Sequence, residues 1–216
     1  MYLPKHFAVD NQALLAQLIQ EYPLATLVGN LNGQLEVNHL PLMLSADKKK
    51  LHGHIARMNP LMKIAQSSDT SVTAIFNGPN AYITPAWYPS KKESGKVVPT
   101  WNYAVVHAQG NIKLIEDAQW LRSHVAQMTD FHEPTYQSNW KLDDAPEEYV
   151  QTMLKAIVGI EIDIKRIRKE QRGILWSAPI QVAIGVLIGT PIFKALGIST
   201  LGALLLSLSL ALSSSV

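Results

Sequence analysis

Apolar residues fall at helical spacing near the start of the chain, where Ala13, Leu14, Leu15, Leu18 and Ile19 follow Asp10 and Pro23 ends the run. That spacing predicts an amphipathic helix with Asp10 as its N-cap. The pattern then changes period. Strand-like runs at Ala25–Leu31 and Gln34–Leu44 flank Asn32-Gly33, a pair suited to the two positive-φ positions of a tight hairpin turn. A polar turn at Ala46–Lys50 precedes a third strand at Leu51–His54. Ser71–Phe76 and Ala81–Thr84 read as strands separated by a turn at Asn77-Gly78-Pro79-Asn80. Tyr88–Val97, rich in Ser, Lys and turn residues, reads as an exposed loop, after which Trp101–Ala108 and Asn111–Ile115 resume strand character. Asp117 is placed to cap a helix burying Trp120, Leu121, Val125 and Met128. Asp144–Ile157 predicts another, with Pro146 in its first turn and Tyr149, Val150, Met153, Leu154 and Ile157 on one face. Val158, Ile160, Ile162 and Ile164 then alternate as a half-buried strand would.

Short strands of antiparallel type, a few helices and no βαβ rhythm imply a mainly β (α+β) fold, a β-barrel with peripheral helices. The chain has no dinucleotide-binding glycine fingerprint and no Walker loop, which excludes the common nucleotide-binding α/β folds. At 216 residues and 47% hydrophobic, it is long enough for one domain to bury a core unaided. The absence of cysteine rules out disulfides, thiolate metal sites and cysteine nucleophiles, and fits a cytoplasmic address. A formal charge of +2 is too small to announce a nucleic-acid binder. Met1–Asp10 has charge and proline but no apolar run of the kind secretion requires.

Charge is unevenly spread. Every acidic residue lies at or before Glu170, and after Arg172 the only charged side chain is Lys194. This divides the chain into a domain at 1–165, a basic linker at 166–172 and a hydrophobic, helical tail at 173–216. Ile174–Gly189 and Ile192–Leu212 are each close to the ~20 residues that cross a bilayer. The basic cluster ahead of them would keep the domain cytoplasmic. Two readings of the tail follow: a membrane anchor through Ile174–Leu212, or the product of a frameshift or fusion.

Chemistry concentrates in Leu51–Pro60 and Tyr82–His107. The first holds His52, His54, Arg57 and Asn59; the second holds Tyr82, Thr84, Trp87, Tyr88, Thr100, Trp101, Asn102, Tyr103 and His107. A phosphorylated flavin needs a guanidinium or other donors for its phosphate, an aromatic or apolar wall for its ring, and a few oriented hydrogen bonds at the ring edge. These stretches contain all three kinds of group. Plainer roles exist for the same residues. Scattered histidines are usually structural, and Trp87 and Trp101 suit core or interface packing. His52 and His54 point to one strand face as a metal pair would, yet no third ligand lies near in sequence, so no metal is expected. His132-Glu133 reads as a loop ion pair and Lys48-Lys49-Lys50 as a solvated turn. No Ser-His-Asp set can be nominated, and no catalytic residue is assigned.

A run of ordered motifs resembles one family. It begins with Met1-Tyr2-Leu3-Pro4-Lys5-His6-Phe7 and continues through Tyr22-Pro23-Leu24-Ala25-Thr26-Leu27, His39-Leu40-Pro41 and Gly53-His54-Ile55-Ala56-Arg57-Met58-Asn59-Pro60. Its most specific parts are Phe76-Asn77-Gly78-Pro79 with Tyr82, Trp87-Tyr88-Pro89-Ser90-Lys91-Lys92, and Val98-Pro99-Thr100-Trp101-Asn102-Tyr103; Ala156–Ile162 closes it. These motifs resemble the PaiB-type FMN-binding negative transcriptional regulators, linked to repression of protease synthesis and sporulation. The resemblance implies an FMN-binding split β-barrel of the pyridoxamine-phosphate-oxidase and flavin-reductase type, working as a homodimer with the flavin at the seam. It implies that His54–Asn59 meets the phosphate, with Arg57 as the main charge, and that His39, Thr84, Thr100, Trp101, Asn102 and Tyr103 line the rest. It also leaves an alternative, an FMN-dependent oxidoreductase on the same barrel. DNA is a partner by that family label, although no helix-turn-helix with a basic recognition face is found.

Overall fold

The computed structural model describes residues 11–88, 91 and 95–171. The first helix, α1, runs Gln12–Glu21 and presents Leu15, Leu18 and Ile19 to the interior. Its cap is Asn11 rather than Asp10: the Asn11 carboxamide oxygen accepts from the Ala13 and Leu14 amides at 2.9 and 3.2 Å. Strands β1 (Leu24–Leu31) and β2 (Gln34–Pro41) form the predicted hairpin, with Asn32 at φ 53° and Gly33 at φ 85° in the turn. The run expected to continue to Leu44 breaks at Leu42, whose amide donates to the Pro23 carbonyl, and a short β3 (Met43–Leu44) follows. Then come β4 (Lys50–Ala56), a one-turn helix α2 (Leu61–Ala65), β5 (Ser71–Ile83), β6 (Thr100–Ile115), α3 (Ala118–His132), α4 (Glu147–Lys155) and β7 (Ile157–Gln171).

Among the described residues seven strands lie in the order β2-β1-β5-β6-β7-β4-β3, and the pairs β1–β2, β1–β5, β3–β4 and β4–β7 are antiparallel. The two ends of that order, β2 and β3, are joined through Leu42 alone. One residue spans only a few ångströms, so the sheet must turn back until its two edges meet at that corner. Its inner face carries alternate residues of each strand: Ala25 and Leu27, Leu51 and Ile55, Val72, Ala74 and Phe76, and Val158, Ile160 and Ile162 are all buried. Helix α2 adds Leu61 and Ile64 to this core, and a Cβ on Gly29 would stand 2.8 Å from the Ile64 Cδ1.

Two predicted breaks are absent. The expected turn at Asn77–Asn80 is part of an unbroken β5, although pairing with β1 ends at Phe76. Beyond it that side of β5 has no β1 partner, so Pro79, which has no N–H, forfeits no ladder bond there. Likewise β6 runs straight through Gln109-Gly110, where Gly110 lies so close to the Asp163 backbone that a Cβ would not fit. Lys50, read as part of a solvated turn, begins β4 instead.

The chain forms two compact units, Met1–Gly78 with Val105–Glu170, and Pro79–Ala104 with Gln171–Val216. The loop expected at Tyr88–Val97 lies partly outside the described residues, and the hydrophobic helical tail at 173–216 lies wholly outside them. Among the described residues, no helix is long and apolar enough to cross a membrane.

Candidate functional site

Four of the nominated residues belong to the first unit. His39 lies on the exposed face of β2, its Nδ1 3.1 Å from the Thr26 hydroxyl. Arg57 follows the last residue of β4 and is fastened on three sides. Its amide donates to the Ala156 carbonyl at 3.0 Å and its Nε to the Lys155 carbonyl at 3.0 Å, while Nη1 pairs with Glu116 at 2.8 Å. The guanidinium keeps three further N–H groups beyond those bonds. Asn59 shapes the same segment: its Nδ2 donates to Asn38 at 2.7 Å and its Oδ1 accepts from the Leu61 amide at the start of α2. His54, two residues before the strand end, turns instead into a seam beneath α3.

The other five nominated residues belong to the second unit. The Thr84 hydroxyl accepts from the Ala86 amide and caps a short 3₁₀ turn at Pro85–Trp87. Thr100 opens β6, and Asn102 and Tyr103 are half-buried on it. Trp101 is 53% exposed, donates from its indole to Asn80 at 3.2 Å and tilts against Tyr82 with ring centroids 5.9 Å apart. The pair forms an open aromatic surface with its rings already held in position.

The most buried polar cluster was not nominated as a whole. It lies where α3 crosses β4 and β7, and its origin is alternation: His52 and His54 on β4 pair with Glu161 and Gly159 on β7, so all four share the outer face. Asp117 caps α3 through the Trp120 amide at 2.8 Å, as expected, and the helix lowers Trp120 onto Gly159. Trp120 stacks on His124, centroids 5.0 Å apart and 11° from parallel, and meets the edge of His52 at 5.5 Å. Glu161 is only 6% exposed. It is 3.0 Å from His52 and takes ammonium groups from Lys50 at 2.8 Å and Lys113 at 2.7 Å. Burial pushes its carboxyl up, but the hydrogen bonds from Lys113, Lys50 and His52 outweigh that and hold it down at about 2. Burial, followed by the neighbouring His54 and His52, lowers His124 to about 4. The signal that would have found His124 is its place three residues after Leu121, on the face the helix buries.

No group of three or more His, Cys, Asp or Glu among the described residues is arranged to hold a metal ion. His132 and Glu133, read as a loop ion pair, stand at the end of α3 and in the 3₁₀ turn after it, where His132 contacts the Phe131 ring instead.

An open groove of about 450 Å³ spans β1, β5, β6 and β7, lined by Val28, Val72, Thr73, Gln109 and Lys165 among others; it contains none of the nominated residues. On the outer face of the β1–β2 hairpin, Leu24, Leu35 and Val37 are 64%, 71% and 53% exposed.

Comparison with known proteins gives this geometry a family. The chain is 31% identical over 170 residues to the protease synthase and sporulation protein PAI 2 of Bacillus subtilis, covering 78% of this chain and 79% of that one. It is 33% identical over 205 residues to an uncharacterised protein of Emericella nidulans, covering 78% and 82%. Among solved structures, the flavocytochrome Anf3 of Azotobacter vinelandii superposes with a TM-score of 0.60 at 13% identity, covering 80% of this chain and 73% of that one, a likeness of fold. Over residues 1–166 the sequence matches the family described as "Putative FMN-binding domain", and the chain belongs to that FMN-binding family.

Proposed function

We propose that this chain is a split-barrel flavoprotein that holds FMN at a seam between two copies and acts as a negative regulator of transcription, the role implied by the resemblance of its motifs to the PaiB-type regulators. The observation that carries the flavin reading is Arg57, anchored by two backbone carbonyls and Glu116 with three N–H groups left over. A fork of fixed donors on a rigid strand end fits a phosphate group. Asn59 holds the segment in shape and retains one amide N–H for the ligand. Trp101 with Tyr82 supplies a preformed wall for an aromatic ring, while Thr100, Asn102, Tyr103, Thr84 and His39 are assigned to its polar edge and ribityl chain. His54 supports the segment from behind, because its ring faces His124. Bound FMN supplies one- and two-electron transfer; the chain's own residues bind and orient it.

The split barrel is supported by the way β2 and β3 bring the two sheet edges together. A second copy is supported by the exposed apolar side chains of Leu24, Leu35 and Val37 on one face of β1 and β2. The flavin reading is tested by titrating the purified full chain with FMN and following flavin fluorescence. Arg57→Ala is expected to weaken FMN roughly 10- to 100-fold, the worth of a charged hydrogen-bond pair, with Arg57→Lys in between. A wild-type chain that takes up no FMN would end the reading. Regulation is tested by retention of a promoter fragment by the flavin-loaded chain. Steady oxidation of NADH or NADPH would instead select an FMN-dependent oxidoreductase of the pyridoxamine-phosphate-oxidase or flavin-reductase type.

A further inference from the structure

The seam under α3 contains two imidazoles, His54 and His124, packed against each other beneath the helix. His124 is 4% exposed, its Nε2 has no hydrogen-bond partner, and neither has the buried Nδ1 of His54. The two rings meet edge to face at 5.6 Å, with Trp120 stacked on the other side of His124. Packing of this kind accepts neutral imidazoles and rejects charged ones, since a cation there has no water and no counter-ion. The charges nearby are already matched. From β7 comes Glu161, whose carboxylate is taken by Lys50 and His52 of β4 and Lys113 of β6. Asp163 of β7 lies 3.9 Å from the same Lys113. On α3 itself Arg122 is paired with Asp143 and Glu147, two positions from His124 and so on the far side of the helix. No free anion faces His124 from any of these elements.

The same seam holds the proposed phosphate anchor in place. Arg57 is pinned by Glu116, the residue just before the Asp117 cap of α3, and by the Lys155 carbonyl at the end of α4. Helices α3 and α4 share their own small core of Leu121, Val150 and Leu154.

We propose that His54, Trp120 and His124 form an acid-sensitive latch: protonation of His124 lifts α3 off β4 and β7 while the inner barrel core stays folded, and the shift of Glu116 slackens Arg57. Only the last step rests on the flavin reading. An imidazole that takes its proton near 4 when docked and near 6.5 when released biases docking by about 100-fold between neutral pH and pH 4. Burial lowers His54 in the same direction.

The test is hydrogen exchange of the full chain, read by mass spectrometry from pH 7 to pH 4 and corrected for intrinsic rates. Amides of α3 are expected to lose protection on acidification while β4 and β7 keep theirs. His124→Phe, which keeps a ring in the seam, is expected to hold α3 down to the lowest pH. Loss of protection by α3, β4 and β7 together would overturn the latch, as would a His124→Phe chain that opens at the wild-type pH. If that variant does not fold, the His124 ring protons of the wild type decide: titration above pH 6 overturns the proposal, and titration near 4 supports it. FMN titrations run alongside separate the two readings. Failure to bind at pH 7 removes the flavin reading and leaves the exchange result standing. Binding that stays constant while α3 opens removes the coupling to Arg57.

Discussion

Gly159 shows how one missing side chain organises a seam. A Cβ there would stand 2.9 Å from the Trp120 Cε3 and nearer still to the next ring carbon, so alanine would lever the indole off the strand. Moving Trp120 disturbs its stacking on His124 and its edge contact with His52 together. Gly159→Ala is expected to destabilise by about 1–3 kcal/mol, the usual cost of overpacking, as read from urea unfolding. Glu161 sets a different limit. Its carboxyl titrates at about 2 when folded, against 4.5 when free, so the folded state gains from its ionisation at any pH above 4.5. That gain fades as pH falls from 4.5 towards 2, because the unfolded chain then binds the extra proton. Glu161→Gln is expected to flatten the stability profile across this window, which unfolding curves at a series of pH values would reveal. Of this cluster the sequence revealed the strand-face pairing of His52 with His54 and the burial of Leu121, which follow from periods of two and 3.6, whereas Trp120, expected to be buried, is half-buried. Glu161 was not legible, because its partners Lys50 and Lys113 come from strands more than 45 residues away in sequence. Only strand order brings them together.

At the scale of elements, local chemistry was read well wherever it acts alone. The Asn32-Gly33 turn needs two positive-φ residues and has them, and the Asp117 cap satisfies an amide that the helix itself cannot. Asp117→Ala is therefore expected to cost about 1 kcal/mol. Because Asp117 adjoins Glu116, that loss should appear first as faster exchange in the opening turn of α3. Equal loss of protection across the whole chain would show instead that the cap has no local role. Where tertiary pairing competes with local signals, the sequence misleads. Asn77-Gly78-Pro79-Asn80 has the composition of a turn, yet it stays extended as part of β5, in keeping with the preference of the residue before proline for extended backbone. The face predicted on α4 is half right for a related reason: Val150 and Leu154 are buried against α3, while Tyr149 and Met153 remain on the surface.

For the whole molecule the outer surface of the sheet is divided. Helix α3 covers its β4 and β7 side, whereas no described helix covers the outer faces of β1 and β2, with Leu24, Leu35 and Val37 turned outward on strands whose opposite sides carry the buried Ala25, Leu27 and Leu40. Among the described residues, strand β2 pairs with β1 alone, so there it also offers an unpaired edge. Exposed apolar residues beside a free edge invite either pairing or aggregation, and a second copy laid on the same face satisfies both needs at once. A stable symmetric pair hides roughly 800 Å² on each partner, about the extent of several strands. Val37→Glu would place a carboxylate at the middle of such an interface, and by symmetry each copy would meet the other's charge. The expected outcome is a folded monomer by sedimentation, with the wild type sedimenting as a dimer. Since Val37 points away from the core, circular dichroism should be unchanged. The same variant also bears on where the flavin sits: if FMN is held at a seam between copies, its affinity falls together with the dimer, and a monomeric Val37→Glu chain that binds FMN as tightly as the wild type would place the site within a single copy.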